Sequence, residues 1–448
     1  MKIRDDFLKK LLAFVFPIAF QQFMLAAVSA SDALMLGMLS QDALSAVSLA
    51  GQVTFVEHLF FGAMTIGLSL LAAQYWGKGD RAAVERIFAY VFKITAVVSF
   101  VFFLAGLCIP TALMLIFTNE QPLVDGGAVY LRAVSLSFFL SGISQVYLCV
   151  LKNSGKAARS SLISSVSVVV NIALNAVLIF GLLGFPRMGI AGAALATVAA
   201  RLMETAWCVA ETLKKDAVRL RLRNLRNNDT GLCGDFWKYT TPVLGNEIVW
   251  GVGFTMYSVI MGHLGTDAVA ANSIANIVKN LAACLCMGLG SGGGIIVGNE
   301  LGAGRLELAK EYGDRLCRMA WICGAASGIV LVAFSPLILA VTDLSGQAEV
   351  YLRWMLAMCS YYMVGKSFSG TTIAGIFCAG GDSQFGFFCD TVTMWCVTVP
   401  LGLLAAFVWK LPVPAVYFIV NLDEIVKLPA VYLHYKKYKW VRNLTQEA

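Results

Sequence analysis

Charge is what this sequence has least of. Only 14% of its 448 residues are Asp, Glu, Lys or Arg, whereas a soluble domain carries roughly 25%. Hydrophobic residues make up 58% of the chain, and the mean hydropathy is +0.75. This composition excludes an ordinary soluble enzyme. It also excludes intrinsic disorder, which requires low hydrophobicity together with high net charge.

The sequence also lacks the short motifs of nucleotide hydrolases and metalloproteins. It contains no GxxxxGK[ST], HExxH or GxSxG pattern, no CxxC pair among its 12 cysteines, and only three histidines. Gly288, Gly290 and Gly293 fit GxGxxG, but they lie in an apolar run without a βαβ context, so close helix packing explains them better. We therefore predict that the chain is not an enzyme, has no cofactor and requires no ATPase subunit.

What the sequence does contain is a series of long apolar runs, each about long enough to cross a bilayer as a helix, which takes about 20 residues. Almost nothing remains for a soluble domain, so an all-α integral membrane protein with 12 transmembrane helices is predicted. The runs lie at 12–37, 51–76, 87–117, 128–151, 160–181, 188–213, 236–262, 272–297, 316–342, 348–378, 384–410 and 412–434.

The basic residues are distributed unevenly over the gaps between these runs. The net charge is +7, and most of the 34 Lys and Arg residues fall before run one or after the even-numbered runs, whereas the opposite loops hold only Arg187 and Lys410. Because cytoplasmic loops carry the excess of Lys and Arg, both termini are expected in the cytoplasm. The basic charge thus indicates topology in a multi-pass cell-membrane protein, with the lipid bilayer as its partner and no nucleic acid.

An internal repeat divides the chain into two halves. Pro17 and Gly37 correspond to Pro242 and Gly262, and further matches hold the same offset of 225 residues beyond the second run. We therefore predict two six-helix lobes, at 1–213 and 236–448, joined by a cytoplasmic linker at 214–235. Duplicated halves of this kind are typical of secondary transporters, which handle substrate between the halves near the bilayer midplane.

Asp32 is the carboxylate inside the first apolar run, and its partner position in the repeat is Tyr257. Ionisable residues in membrane helices usually face a bundle interior. Gln21 lies eleven residues earlier, about 20° from eclipsed on a helix, so both side chains are expected to face the same interior. The alternative is that Asp32 reaches water near the loop.

Asn171 and Asn175 are spaced by one turn in the fifth run, so one helix face carries both amides. Thr197 lies in the sixth run. Together with Asp32 these side chains form a set of hard oxygen ligands that suits a small hard cation such as Na⁺. The same carboxylate is also able to take a proton, and the two amides alone are equally consistent with hydrogen bonds between helices.

The second half carries different intramembrane charges. Glu247, Lys279 and Lys366 are candidates for coupling or substrate binding. The last two runs contain a further group of charged residues, Asp390, Asp423, Glu424 and Lys427. Mutually neutralising pairs are favoured for the last group, with Glu424 and Lys427 at i,i+3, and a second coupling network is the alternative. In the first half, Arg201 and Glu204 are interpreted as a structural pair. Glu57 and His58 are expected near the outer end of helix two, where interfacial placement is favoured and a role at the pore mouth is the alternative.

Several segments, in this order and in duplicate, resemble the multidrug and toxic compound extrusion (MATE) family over essentially the whole chain. These are FPIAFQQ and SDALMLGML in the first helix, AQYWGKGD after the second, VNIALNAVLIFG and GIAGAALAT in helices five and six, and GHLGTDAVAANSIA, VGNELGAG and AGGDS in the second half.

The resemblance implies a V-shaped pair of lobes that exports bulky, often cationic or amphipathic compounds in exchange for Na⁺ or H⁺. The cation site of the family's first lobe maps onto Asp32, Asn171, Asn175 and Thr197. Some members carry Asp where this chain has Asn175. Asp32 is therefore the one acid of the set in this chain, which implies one monovalent ion or one proton per cycle. The second-lobe acid of one branch falls near Trp250, one turn from Glu247, and the matching part of helix ten holds Lys366 and Ser367 without an acid. This pattern argues against a cation site of that kind in the second lobe.

These observations predict an antiporter that works as a monomer on small molecules. Ion binding at Asp32 would change the packing of the first helix, which Pro17 allows to bend because proline breaks the backbone ladder. One alternative is a flippase or exporter of a lipid-linked or anionic intermediate, supported by Lys279 and Lys366. An intramembrane enzyme or receptor is a third class, but the sequence contains no catalytic constellation.

Overall fold

The computed structural model describes residues 2–214, 217–226, 229–342, 344 and 346–445. Within these residues all regular structure is helical, as the long apolar runs predict. The described residues of the first half form eight α-helices. These are α1 (Lys2–Leu39), α2 (Gln41–Lys78), α3 (Arg81–Cys108), α4 (Pro110–Leu115), α5 (Gln121–Leu151), α6 (Ala157–Phe180), α7 (Gly189–Thr212) and α8 (Leu222–Arg226).

The second half begins with four long helices and ends in shorter ones. These are α9 (Thr230–Gly262), α10 (Thr266–Gly302), α11 (Leu306–Val341), α12 (Gly346–Ser369), α13 (Ser383–Thr391), α14 (Val399–Leu403), α15 (Val413–Val420), α16 (Asp423–Val426) and α17 (Leu428–Tyr435). Wider π-helical segments follow α12 at Gly370–Phe377, α13 at Val392–Thr398 and α14 at Leu404–Val408. Such segments are frequent at functional sites.

Nine stretches of the described residues are long and apolar enough to cross a membrane. They are Asp6–Leu39, Gln41–Lys78, Arg81–Cys108, Gln121–Phe180, Gly189–Thr212, Thr230–Gly262, Thr266–Gly302, Leu306–Ala340 and Ser383–Val408. The 60-residue stretch holds both α5 and α6, which separate at Gly155, where φ is +78°. The tenth predicted run lies on the more polar α12, and the twelfth is divided among α15, α16 and α17. The count of 12 and the side of the termini stay predictions.

The chain forms two compact units. The first comprises Met1–Phe23, Ala73–Gly79 and Asp235–Ala448, and the second comprises Met24–Ala72 and Asp80–Gly234. The boundary therefore passes through the middle of α1. The two predicted lobes, at 1–213 and 236–448, were inferred from the internal repeat, and this division of the chain stays a prediction. Four residues of the predicted linker, 215–216 and 227–228, lie outside the described residues.

Within the first unit, the chain after α17 returns to the end of α2. Trp440 is fully buried, and the backbone N–H of Leu444 donates to Oε1 of Gln74 at 2.8 Å. Nε2 of Gln74 donates to the backbone oxygens of Ala379 and Arg442, at 2.7 and 3.2 Å. Both polar ends of this buried amide are thereby satisfied, as a buried side chain requires.

In the second unit, α5 forms the centre of an apolar cluster. Leu131, Val134 and Phe138 are buried there against Met114 of α4 and Ala194 of α7. α7 also packs closely on α6, because a Cβ at Gly192 would lie only 2.6 Å from the backbone oxygen of Leu178. This close approach brings the polar faces of α6 and α7 together.

Candidate functional site

Three helices of the second unit carry the candidate ion-binding residues. Asp32 lies about two turns before the end of α1, Asn171 and Asn175 lie one turn apart on α6, and Thr197 lies on α7. Asn171 and Asn175 are 6% and 0% exposed. The structure therefore places polar side chains from α1, α6 and α7 inside an apolar helical unit.

These four side chains form one hydrogen-bonded chain. Nδ2 of Asn175 donates to Oδ1 of Asp32 at 2.6 Å and to Oδ1 of Asn171 at 3.1 Å. Nδ2 of Asn171 donates to Oγ1 of Thr197 at 3.3 Å, and the Thr197 hydroxyl donates to the backbone oxygen of Ala193 at 3.0 Å. The sequence predicted that these residues act together, and they do lie together; their role in ion binding stays a prediction.

One oxygen of this group has no donor. Oδ1 of Asn175 is buried and accepts no hydrogen bond within the described part of the chain. A buried acceptor without a partner is unusual and calls for an explanation. A carboxylate, two amide oxygens and a hydroxyl are ligands that suit a small hard cation such as Na⁺. The group is therefore chemically able to hold one monovalent ion beside Asp32, and its carboxylate is equally able to hold a proton.

Gln21 and Pro17 lie on the part of α1 that belongs to the other unit. Gln21 is 3% exposed, and its Oε1 has no hydrogen-bond donor among the described residues. No contact in the described chain joins it to Asp32, so the expectation that both side chains share one interior stays a prediction. α1 is helical across Pro17, from Lys2 to Leu39.

The charges of the second half form a buried network at α16. Nζ of Lys427 lies 2.8 Å from Asp390 and 3.0 Å from Glu424, and Nζ of Lys366 lies 3.3 Å from Glu424. The predicted pairing of Glu424 with Lys427 is confirmed. Oδ1 of Asp423 is buried without a hydrogen-bond donor in the described residues. Most of this group is thus neutralised internally, as paired charges in membranes generally are.

Lys279 and Glu247 form no ion pair with this network among the described residues, although its charges act on both of them. Nζ of Lys279 donates to Oδ1 of Asn421 at 3.3 Å and lies 4.7 Å from the ring centroid of Tyr362. Lys279 is 8% exposed, and no carboxylate of the described chain forms an ion pair with it. Glu247 is half-buried and likewise has no ion pair there.

Glu57 is not where the sequence placed it. The predicted run began at residue 51, but α2 begins at Gln41, so Glu57 lies about four turns inside the helix and is 0% exposed. The expectation that Glu57 lies near the end of its helix is therefore wrong, and its position relative to the membrane interface stays a prediction. The stretch QDALSAVSLA at the start of α2 is amphipathic. Because the prediction relied on uniformly apolar runs, it placed the start of the helix about ten residues too late. The predicted pair of Arg201 and Glu204 is confirmed at 2.9 Å.

Comparison with known families supports one assignment. The MatE family model matches residues 17–177 and 242–404, more than half of the chain. The two matched segments begin at the two prolines of the internal repeat, Pro17 and Pro242.

Curated relatives resemble the chain over most of its length. It is 21% identical over 417 residues to the uncharacterized transporter YisQ of Bacillus subtilis, covering 92% of this chain and 90% of the relative. It is 26% identical over 412 residues to the probable multidrug resistance protein NorM of Rhizobium meliloti, covering 86% and 85%.

Solved structures share the fold. An outward-facing multidrug resistance MATE family transporter of the MOP superfamily aligns with a TM-score of 0.88 at 16% identity, covering 96% of this chain and 95% of that one. A MOP superfamily transporter from Pyrococcus furiosus, described by a reversed polarity of its binding pocket, gives the same TM-score, identity and coverage.

Proposed function

This chain belongs to the MatE family, and from that premise we propose that it is a secondary antiporter of the cell membrane. It exports bulky cationic or amphipathic small molecules in exchange for Na⁺ or H⁺. Relatives that align with 86% and 91% of this chain are described as probable multidrug resistance proteins, which supports this class of substrate. The proposal includes a single chain that works as a monomer, without an ATPase subunit or cofactor.

The observation that carries the proposal is the hydrogen-bonded group of Asp32, Asn171, Asn175 and Thr197. A cation beside Asp32 would attract the free Oδ1 of Asn175, whereas a proton would turn the carboxylate from an acceptor into a donor. Either event changes the hydrogen bond that joins α1 to α6. An ion that binds more tightly to one arrangement of α1 than to another shifts the population of the two states, which is the requirement for coupling.

The test is ethidium export from loaded cells, with Na⁺ and pH gradients imposed separately. We expect one of the two gradients to drive export by the wild type, and Asp32→Asn to abolish that export at equal expression. Ser29→Ala is a matched control on the same helix, because the Ser29 hydroxyl is exposed and, among the described residues, bonds only to the backbone oxygen of Leu25. Gradient-driven export that survives Asp32→Asn contradicts the mechanism.

A second candidate is export or flipping of an anionic or lipid-linked intermediate. The observation that favours it is Lys279, a buried ammonium without a carboxylate partner in the described residues. A buried cation of this kind attracts an anionic group, because electrostatic interactions are strong away from water.

The discriminating assay is transbilayer movement of a fluorescent polyprenyl phosphate in proteoliposomes. We expect movement that Lys279→Gln abolishes, with Lys410→Gln as a control of the same chemistry on an exposed lysine. Gradient-driven ethidium export without movement of this lipid eliminates the second candidate.

A further inference from the structure

The second unit contains a buried acid that lies apart from the Asp32 group. Glu57 is 0% exposed, and neither oxygen of its carboxyl has a hydrogen-bond partner in the described residues. It lies well inside α2, about four turns from Gln41 and about six turns from Lys78. A carboxyl at this position is enclosed by protein atoms.

The groups around Glu57 offer little compensation for a negative charge. Phe61, one turn later on α2, lies against Gly142 of α5, and Ser99 of α3 packs on the same glycine, so α5 and α3 present small side chains there. On α2 itself the titratable neighbour is His58. The positive charge of Arg201 on α7 acts on Glu57, but Arg201 forms its ion pair with Glu204 and none with Glu57 in the described residues.

Arg201 is already engaged elsewhere. Its guanidinium forms an ion pair with Oε1 of Glu204 at 2.9 Å, one turn away on the same helix. Glu204 is 0% exposed and also feels the positive charge of Lys152 at the end of α5. Glu204 therefore has a cationic partner, whereas Glu57 has none among the described residues.

An ionised carboxylate without hydrogen bonds or a counter-ion is so costly away from water that the group takes up a proton instead. We propose that Glu57 is a proton-binding site, which holds its proton while Arg201 pairs with Glu204 and releases it when Arg201 turns to Glu57. Arginine stays charged throughout, so its choice of partner decides which acid ionises. The inference holds whichever ion or substrate the chain transports.

The site has a direct connection to the Asp32 group. Thr197 and Arg201 are one turn apart on α7, and Ser167, one turn before Asn171 on α6, donates to the backbone oxygen of Ala200 at 3.0 Å. Any movement of α7 that alters the Asn171–Thr197 hydrogen bond therefore also moves Arg201.

The test is infrared spectroscopy of the purified full chain in nanodiscs at neutral pH, without substrate or gradient. The C=O stretching band of a protonated carboxylic acid reports the Glu57 proton. We expect Glu57→Gln to remove such a band, both in the wild type and in an Asp32→Asn background, which eliminates Asp32 as its source. A spectrum unchanged by Glu57→Gln overturns the proposal.

Glu204→Gln provides the second arm. It leaves Arg201 without its partner, so we expect Glu57 to ionise, to pair with Arg201 and to lose its band although the residue is present. A band that persists in Glu204→Gln contradicts the role of Arg201. Glu57→Gln is the neutral isostere of the protonated acid and is expected to fold, so an unfolded variant would equally contradict the proposal. None of these readouts depends on transport, so they remain decisive if the antiport proposal fails.

Discussion

At the scale of single residues, the nitrogen and the oxygen of the Asn175 side-chain amide have different roles in the candidate ion site. Its nitrogen holds the Asp32 carboxylate at 2.6 Å and the Asn171 amide at 3.1 Å. Its oxygen is buried and has no donor in the described part of the chain. The nitrogen thus fixes the carboxylate in place, and the oxygen remains for an ion. An apolar side chain at position 175 would provide neither the N–H donor nor the free oxygen.

Asn175→Ala is therefore expected to weaken binding of the coupling ion. Hydrogen bonds to charged groups contribute about 1.5–3 kcal/mol, so the half-saturating ion concentration for ethidium export should rise by about tenfold or more. The measurement is export rate against concentration of the driving ion, at matched expression. Ser167→Ala is the control, because Ser167 lies on the same face of α6 but bonds only to the backbone of α7. Equal half-saturating concentrations in the two variants would remove Asn175 from the site.

At the scale of helices, glycines set the distance between α2 and α10. A Cβ on Gly302 would overlap the backbone oxygen of Gln74, and a Cβ on Gly77 would overlap the backbone oxygen of Asn299. Backbone cannot move aside as a flexible side chain does. The same end of α2 is bound by the chain after α17, where Nζ of Lys78 donates to the backbone oxygen of Thr445 at 2.7 Å. This helix end therefore depends on direct contact between backbones.

Gly302→Ala should separate α2 from α10 and lower the stability of the folded protein. Overpacking typically costs about 1–3 kcal/mol, and loss of the hydrogen bonds at Gln74 would add to it. Gly51→Ala is the matched control on α2, where a Cβ would meet no atom within 4 Å and alanine is the better helix former. Thermal unfolding in detergent measures both variants. A Gly302→Ala protein as stable as Gly51→Ala would show that the helices repack without strain.

At the scale of the whole molecule, charge determines orientation. Lysines and arginines concentrate in alternate loops, and the family's fold extends over nearly the entire chain. Insertion follows this bias because translocating basic loops is unfavourable. Both termini are therefore predicted on the cytoplasmic side, with Arg187 and Lys410 on the opposite side.

Reporter fusions test this orientation. A green fluorescent protein at the C-terminus should fluoresce, since it folds in the cytoplasm, and alkaline phosphatase fused after Gly184 should be active, since it requires the oxidising side. An active phosphatase at the C-terminus, or a fluorescent reporter after Gly184, would invert the predicted topology.

Local patterns were enough to predict the helical membrane class and several side-chain pairs. Apolar runs require helices because backbone groups in lipid must be satisfied within each segment. The pairs Arg201–Glu204 and Glu424–Lys427 follow from i,i+3 spacing on one helix, which needs no tertiary information. The family resemblance depends likewise on ordered motifs within the chain, and the family match confirms it.

Other features depend on which helices meet, and hydropathy does not encode that. The burial of Glu57 without a partner among the described residues arises from packing of α2 against helices distant in sequence. The twelfth run is divided into α15, α16 and α17, and Glu424 on α16 lies 3.3 Å from Lys366 on α12. The sequence by itself determined the membrane class, the repeat and the candidate ligands, because these are properties of composition and spacing. Only the tertiary structure decided which buried acid has a counter-ion, because that depends on distances between separate helices.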